Sequence, residues 1–240
     1  MTIAPFDPAI PQSEVDRLYR KLKDTRLPKH EIVPGAGDEY GVPLAWVHKL
    51  YDYWLNEYDW AATQKRISSW KHFTTSIEDV KIHFVHQLAK KPGKKVVPLL
   101  LVHGWPGSWW EFNRVIDGLA SSEKDDGIVF GVVVPSLPGY CWSEVEKYPK
   151  GWTLQDTARV LNQLMLDLGY TEYVTSGGDW GHWVGDIILL MNTTDHIPRS
   201  SENSEQNSPR HAKPCTQICV LQYHQSPKTN GPSAKHKPSR

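Results

Sequence analysis

Ser176-Gly177-Gly178-Asp179-Trp180-Gly181 joins a short apolar strand, Tyr173–Ser176, to a helix whose apolar residues share one face. The stretch has the G-x-nucleophile-x-G form of a nucleophile elbow, with aspartate where many hydrolases have serine. Its glycines allow the tight turn that lifts the central side chain above the edge of a sheet. The alternative interpretation is a plain turn in which Asp179 caps the following helix.

An elbow carboxylate predicts a particular chemistry. Asp179 needs no base to deprotonate it, so it attacks an electrophilic carbon directly and forms an ester. Such a step suits epoxides or alkyl halides better than amide bonds. The alkyl ester must then be hydrolysed, and that step needs hydrogen-bond donors that stabilise the developing oxyanion.

A second segment, His103-Gly104-Trp105-Pro106-Gly107, follows the buried strand Val96–Val102 at the place where a hydrolase supplies such a donor. We predict that the backbone N–H groups of Trp105 and Trp180 form the oxyanion hole. His103 is better suited to fixing the loop than to acting as a base. The predicted substrate pocket consists of His103, Trp105, Pro106 and Trp180.

Strands and helices alternate from residue 76 onward, which favours an α/β fold with a mainly parallel sheet. Residues 1–75 have the apolar period of helices, and residues 76–191 form the predicted partial core. Residues 192–240 are rich in polar residues and are predicted to be a disordered tail. Within this tail, Ile218–Leu221 is either a strand or an isolated apolar segment.

Composition excludes several classes of function. The 27 basic residues balance the 27 acidic ones, so the chain has no net positive charge that would attract nucleic acid or an anionic membrane. The longest apolar runs fall short of the ~20 residues that a membrane helix needs, and the sequence pattern predicts neither a signal peptide nor a membrane anchor. Three cysteines suit a reducing compartment, which predicts a cytoplasmic location.

Together with Pro135-Ser136-Leu137-Pro138-Gly139-Tyr140, these motifs resemble the epoxide hydrolases of the α/β-hydrolase fold, in the microsomal-like group with an extra amino-terminal segment. The resemblance covers roughly residues 4–191. Further matching segments are Asp24–Pro28, Tyr40–Leu44, Asp52–Trp60, Phe73–Thr75 and Ile82–His86. One departure is Cys141, where the group has glycine, which predicts a strained turn.

The resemblance implies a small-molecule epoxide as substrate, a vicinal diol as product, and no cofactor or metal. It also implies a base, an orienting acid and lid tyrosines. The histidines at and after the elbow helix, and the nearby acids and tyrosine, are poorly placed for these roles: His182, His196, His211, His224, His236, Asp186, Asp195 and Tyr223. We therefore expect a sheet that lacks the lid and last strands of the family.

Three alternatives stay open. A haloalkane dehalogenase-like hydrolase also uses an elbow aspartate followed by tryptophan. A non-catalytic binding protein would keep the aromatic pocket and use its open sheet edge for self-association or for pairing with a full-length relative. Finally, His211, Cys215, Cys219 and His224 supply four zinc-ligand residue types, at a spacing that matches no common zinc motif.

Overall fold

The computed structural model describes residues 2–35, 37–89, 95–121, 128–145, 150–193 and 218–222. The chain divides into two compact units, Ala4–Phe73 and a second unit that begins at Thr74 and also takes in residues before Ala4. All the predicted site residues that the structure describes belong to the second unit.

The first unit is mainly helical, as its apolar periodicity predicts. It contains β1 (Ala4–Phe6), α1 (Gln12–Asp24), α2 (Leu44–Asn56) and α3 (Trp60–Ile67). Helix α1 buries Val15 and Leu22, which share one face. Helix α2 buries none of its residues. Its apolar residues recur at helical spacing, which predicts a face packed in a core. The structure leaves Val47 and Tyr51 half-buried and the other apolar residues of that face exposed, since the period of a helix predicts which face is apolar but not what covers that face.

The second unit is built on a mixed sheet. Its strands are β2 (His72–Ile77), β3 (Val80–Gln87), β4 (Lys95–Val102), β5 (Ile128–Pro135), β6 (Tyr173–Gly177) and β7 (Ile218–Gln222). Their order across the sheet is β2-β3-β5-β4-β6-β7. Strands β5, β4, β6 and β7 are parallel neighbours, whereas β3 pairs with β5 in the antiparallel direction. The predicted α/β class and mainly parallel sheet are confirmed.

The parallel register brings two loops to one edge of the sheet. Leu99 of β4 lies opposite Val174 of β6, and Val102 lies opposite Gly177 at the ends of these strands. The loop after β4 therefore begins beside the turn after β6. This is the edge at which α/β sheets place their ligand sites.

The helices of this unit are α4 (Ile116–Ala120), α5 (Leu154–Asp167) and α6 (Trp180–Thr193). The apolar spacing from Trp109 to Leu119 predicts one continuous helix, but the structure has a 3₁₀ turn, Trp109–Phe112, followed by the short α4. Between them, the side-chain amide of Asn113 donates to the carbonyl of Trp110 at 2.6 Å and competes with the helical pattern. Thr153, with Asp156 three residues later, predicts a capping box, and helix α5 begins with that box.

Apolar residues recur at alternate positions of strand β3 from Val80 onward, which predicts a strand with one solvated face, but the structure differs. His83 and Val85 on the face expected to be solvated are both 0% exposed. Hydrogen bonds offset the cost of burying the polar groups of His83. Its Nδ1 lies 2.9 Å from Oγ of Ser136, and its backbone N–H donates to Oγ of Ser143 at 2.9 Å. A histidine satisfied in this way is compatible with a covered face.

The predicted tail, residues 192–240, lies mostly outside the described residues. Within it the structure describes the last residues of α6 and strand β7. The backbone of β7 pairs in parallel with β6, from Tyr173 opposite Ile218 to Gly177 opposite Gln222. Of the two interpretations of Ile218–Leu221, the strand is therefore the one observed. Across the described ranges, every helix is too short or too polar to cross a bilayer.

Candidate active site

The turn between β6 and α6 has the backbone of an elbow. Asp179 has a φ of 54°, in the left-handed region that non-glycine residues rarely adopt. A Cβ on Gly177 would lie 2.5 Å from the carbonyl oxygen of Val102, and one on Gly181 would overlap the same oxygen. Gly178, in contrast, has open space around its Cα. Gly177 and Gly181 are therefore required by the close approach of strand β4.

The loop after β4 meets the Asp179 side chain. The backbone N–H of Trp105 donates to Oδ1 of Asp179 at 2.8 Å. A Cβ on Gly104 would lie 2.5 Å from the Cβ of Asp179, so only glycine leaves room for the carboxylate here. The Trp105–Pro106 peptide bond is cis.

Hydrogen bonding keeps the Asp179 carboxylate charged. The backbone N–H groups of Trp105 and Trp180 both bond to the carboxylate and lower the pKa of Asp179 below its ordinary value. The structure therefore brings together the three residues that the sequence proposed as the catalytic set. The carboxylate is exposed, so a substrate can reach it.

His103 is fixed in the loop and is not part of the lining of the cleft beside the elbow. It is 0% exposed, and its Nε2 accepts the backbone N–H of Leu137 at 3.0 Å. Its Nδ1 therefore carries the proton and donates to the carbonyl of Gly104 at 3.0 Å. Burial lowers the pKa of His103, which favours this neutral tautomer. The imidazole thus ties the loop after β4 to the loop after β5.

A cleft of about 740 Å³ opens beside the elbow. Its lining is largely apolar and aromatic and comes from the loop after β5, the start of α5 and the elbow itself: Leu137, Pro138, Gly139, Tyr140, Trp152, Thr153, Leu154, Thr157 and Trp180. Of the predicted pocket residues, Trp180 lines this cleft. Trp105 and Pro106 are exposed on the neighbouring loop, outside the cleft lining.

Sequence reasoning missed two residues near Asp179. Burial raises the pKa of the Glu111 carboxyl and of the Tyr140 phenol, and the negative charge of Asp179 raises both further. The Glu111 carboxyl folds over Gly107, where a Cβ would overlap it. Tyr140 belonged to a motif used only for the resemblance, and its position directly after Gly139 in a turn was the available signal.

Cys141 continues that turn with a φ of 48°. The strain predicted from cysteine in place of glycine is therefore seen in the backbone.

The remaining catalytic roles are not filled by the described residues. Nε2 of His182 lies 3.4 Å from Oδ2 of Asp186, one turn further along α6. Outside the described residues lie His196, His211, His224, His236, Asp195, Cys215 and Tyr223. Cys219 is described only as part of the backbone of β7. The described residues contain no group of three or more potential ligands that could hold a metal ion.

A strand–elbow–helix unit at the carboxyl edge of a mainly parallel sheet, with N–H donors from the loop of the adjacent strand, defines an α/β-hydrolase. Comparison with known families agrees. Residues 3–112 match the family described as epoxide hydrolase N terminus, and residues 97–181 match the alpha/beta hydrolase fold.

Individual relatives give the same result. The chain is 38% identical over 192 residues to a putative epoxide hydrolase of Stigmatella aurantiaca, covering 79% of this chain and 42% of that protein. It is 36% identical over 203 residues to epoxide hydrolase 1 of Oryctolagus cuniculus, covering 82% and 43%. The chain thus spans less than half the length of these curated relatives.

Solved structures extend the likeness to three dimensions. The juvenile hormone epoxide hydrolase of the silkworm Bombyx mori superposes with a TM-score of 0.71 at 36% identity, covering 79% of this chain and 50% of that one. The epoxide hydrolase of Aspergillus niger gives 0.70 at 31% identity, covering 87% and 55%. The chain belongs to the epoxide hydrolase family.

Proposed function

We propose that this chain carries the nucleophile of an epoxide hydrolase and that Asp179 opens the epoxide of a small apolar substrate. The observation that carries the proposal is the pair of backbone N–H groups, from Trp105 and Trp180, on the Asp179 carboxylate. They keep the carboxylate ionised, and the Trp105 N–H holds its Oδ1. The apolar cleft beside Trp180 would receive the substrate's hydrocarbon arm.

The first step is an alkylation. A carboxylate oxygen of Asp179 forms a bond to an epoxide carbon, and the carbon–oxygen bond of the ring breaks. The electron pair of that bond stays on the epoxide oxygen, which then takes a proton. The product is a hydroxyalkyl ester of Asp179, heavier than the free chain by the full mass of the epoxide.

The second step is hydrolysis of that ester to a vicinal diol. Water attacks the ester carbonyl, and the Trp105 and Trp180 N–H groups stabilise the negative oxygen of the tetrahedral intermediate. The base that removes a proton from this water is not assigned among the described residues. Alkylation is therefore the step that the described site supports most directly.

Intact-mass spectrometry tests the alkylation. The purified chain is incubated with styrene oxide beside an Asp179→Asn variant, which lacks the carboxylate but keeps the size of the side chain. We expect one equivalent of epoxide on the wild-type chain, mapped by peptide digestion to Asp179, or its conversion to the diol. No adduct and no diol in the wild type, or an equal amount in the variant, would contradict the proposal.

Two broader expectations accompany the site. We propose a cytoplasmic location, which is supported by the low number of cysteines. We also keep self-association, or pairing with a full-length relative, as an accompanying proposal. Sedimentation of the chain alone and mixed with such a relative tests it, and a single monomeric species in both samples would exclude it.

A further inference from the structure

A chain of ionic and polar contacts runs from a hairpin turn to the cleft beside the elbow. It starts at Glu78, passes through Arg159 and Asp156, and ends at Thr153, which lines the cleft. Glu78 and Arg159 themselves are absent from the cleft lining. Because the cleft receives the substrate's hydrocarbon arm in the proposed function, a role of these contacts in substrate selection rests on that function.

The hairpin turn gives Glu78 a fixed position. Glu78 and Asp79 form the two-residue turn between β2 and β3, with φ values of 51° and 63°. A turn with positive φ at both central residues matches the twist of the strands that it joins. The flanking residues Ile77 and Val80 are 1% and 2% exposed, so the turn is anchored in the core on both sides. The Glu78 carboxylate is therefore attached to a firmly held segment.

Arg159 connects this turn to helix α5. Its Nε and one terminal nitrogen donate to the two carboxylate oxygens of Glu78 at 2.9 and 2.7 Å, and its other terminal nitrogen donates to Oδ1 of Asp156 at 2.7 Å. The side chains of Arg159 and Glu78 are 44% and 45% exposed, so this ion pair contributes little to stability. A guanidinium that binds one carboxylate with two donors, and a second carboxylate besides, nevertheless holds a defined geometry.

Asp156 passes this anchoring on to the start of the helix. Its Oδ2 accepts the backbone N–H of Thr153 at 2.8 Å and the hydroxyl of Thr153 at 2.7 Å. The preceding residue, Trp152, donates from its indole Nε1–H to Oγ1 of Thr157 at 3.0 Å. Trp152, Thr153 and Thr157 all line the cleft. The contacts that leave Glu78 therefore end in the wall of the cleft that α5 supplies.

We propose that Arg159 is a positioning residue for the substrate's hydrocarbon arm. Bound to Glu78 on one side and to Asp156 on the other, it holds the first turn of α5 in place. Trp152 and Trp180 line the same cleft, and the arm contacts both only while that turn keeps its position. Arg159 touches neither the substrate nor the nucleophile. Without its guanidinium the wall shifts away from the arm, whereas the elbow and its N–H donors are left as they are.

The test compares two epoxides that differ in the arm. Styrene oxide has a phenyl ring that reaches the wall, whereas propylene oxide has a single methyl group. For each epoxide, the second-order rate of adduct and diol formation is measured and corrected with the Asp179→Asn variant, and the ratio of the two rates is the selectivity. Arg159→Gln is the test variant. Arg17→Gln is the matched control, since Arg17 makes an exposed ion pair with Glu14 at 3.2 Å in the first unit.

We expect Arg159→Gln to slow the styrene oxide reaction at least ~5-fold and to leave the propylene oxide reaction within about twofold of wild type, because only the longer arm depends on the wall. Glu78→Gln should lower the selectivity in the same direction. The double variant should lose no more than Arg159→Gln alone, because both residues act through one connection. Arg159→Lys keeps the charge but not the fork of donors, so it should restore only part of the selectivity. Arg17→Gln should keep the wild-type selectivity.

An unchanged selectivity in Arg159→Gln would overturn the inference. Equal slowing with both epoxides would also overturn it, and a lower melting temperature in the same variant would then assign Arg159 a purely structural role. Fully additive losses in the double variant would show that Glu78 and Arg159 do not act together. A wild-type chain that forms neither adduct nor diol with either epoxide would refute the proposed function, and the positioning role with it.

Discussion

The backbone N–H of Trp105 lies 2.8 Å from Oδ1 of Asp179, although the two residues are 74 positions apart in the sequence. The contact exists because strands β4 and β6 are parallel neighbours that end at the same edge. Gly104, which precedes Trp105, leaves the space that the Asp179 side chain occupies. The nucleophile and its donor are thus positioned by sheet pairing together with a missing side chain.

Gly104→Ala should abolish most of the alkylation while leaving the chain folded. The added Cβ would lie 2.5 Å from Cβ and 2.6 Å from Oδ1 of Asp179, so the carboxylate must move. A displacement near 1 Å costs about 100-fold in rate when reacting groups must align. The rate of styrene oxide addition and a thermal melt measure the two effects. Gly118→Ala is the control, because nothing lies within 4 Å of its new Cβ. An unchanged alkylation rate in Gly104→Ala would refute this geometry.

Gly181→Ala should destabilise the fold, whereas Gly178→Ala should not. The first new methyl group would overlap the carbonyl of Val102 and part of strand β4, and the second meets open space. Overpacking against backbone costs about 1–3 kcal/mol, while a free surface position stays within about 0.5 kcal/mol. Urea unfolding monitored by tryptophan fluorescence gives both values. Equal losses would show that the elbow relaxes and that close approach does not explain Gly181.

The alkylation rate should stay constant as the pH falls from 7 to 4.5. Only the carboxylate form of Asp179 reacts, and hydrogen bonds from Trp105 and Trp180 lower its pKa below the ordinary 3.8. Protonation therefore begins to slow the reaction only below that value. Single-turnover alkylation across this range tests the expectation, with near-ultraviolet circular dichroism to confirm that the chain remains folded. A rate that already halves near pH 5 would mean that the carboxylate is not held by these donors.

Stability should fall as the pH drops below about 6.5. Burial lowers the pKa values of His86 and His103 from the ordinary 6.5, so the unfolded chain binds more protons than the folded one in this window. The stabilisation is complete above pH 6.5 and is lost as the pH falls toward the folded pKa values. Urea midpoints between pH 7.5 and 5.5 measure the trend.

A variant isolates one histidine's share of this effect. His86→Phe removes the half-buried titrating ring, so its urea midpoint should vary less with pH than that of wild type. His30→Gln changes an exposed histidine and should keep the wild-type slope. If both variants follow the wild-type slope, the acid sensitivity comes from other groups.

Local patterns were sufficient where each residue's role depends on its neighbours in the chain. The glycine spacing around Asp179 predicted the elbow, and Thr153 with Asp156 predicted the start of α5, because turns and caps are formed by residues a few positions apart. The same reasoning failed at His83, whose buried state depends on serine hydroxyls more than 50 residues away. It also failed for the aromatic face of α2, because the period of a helix shows which face is apolar but not which other element packs against it.

The sequence by itself determined the α/β alternation, the elbow with aspartate at its centre and the family resemblance, because these rest on local spacing and residue type. Only the tertiary structure decided that Trp105 and Trp180 share the Asp179 carboxylate, that His103 fixes a loop and is absent from the lining of the cleft beside the elbow, and that the ring of Tyr140 lies beside Trp180. Each of these depends on loops that follow different strands and meet at one sheet edge. Contacts of that kind arise from strand order and register, which no local pattern specifies.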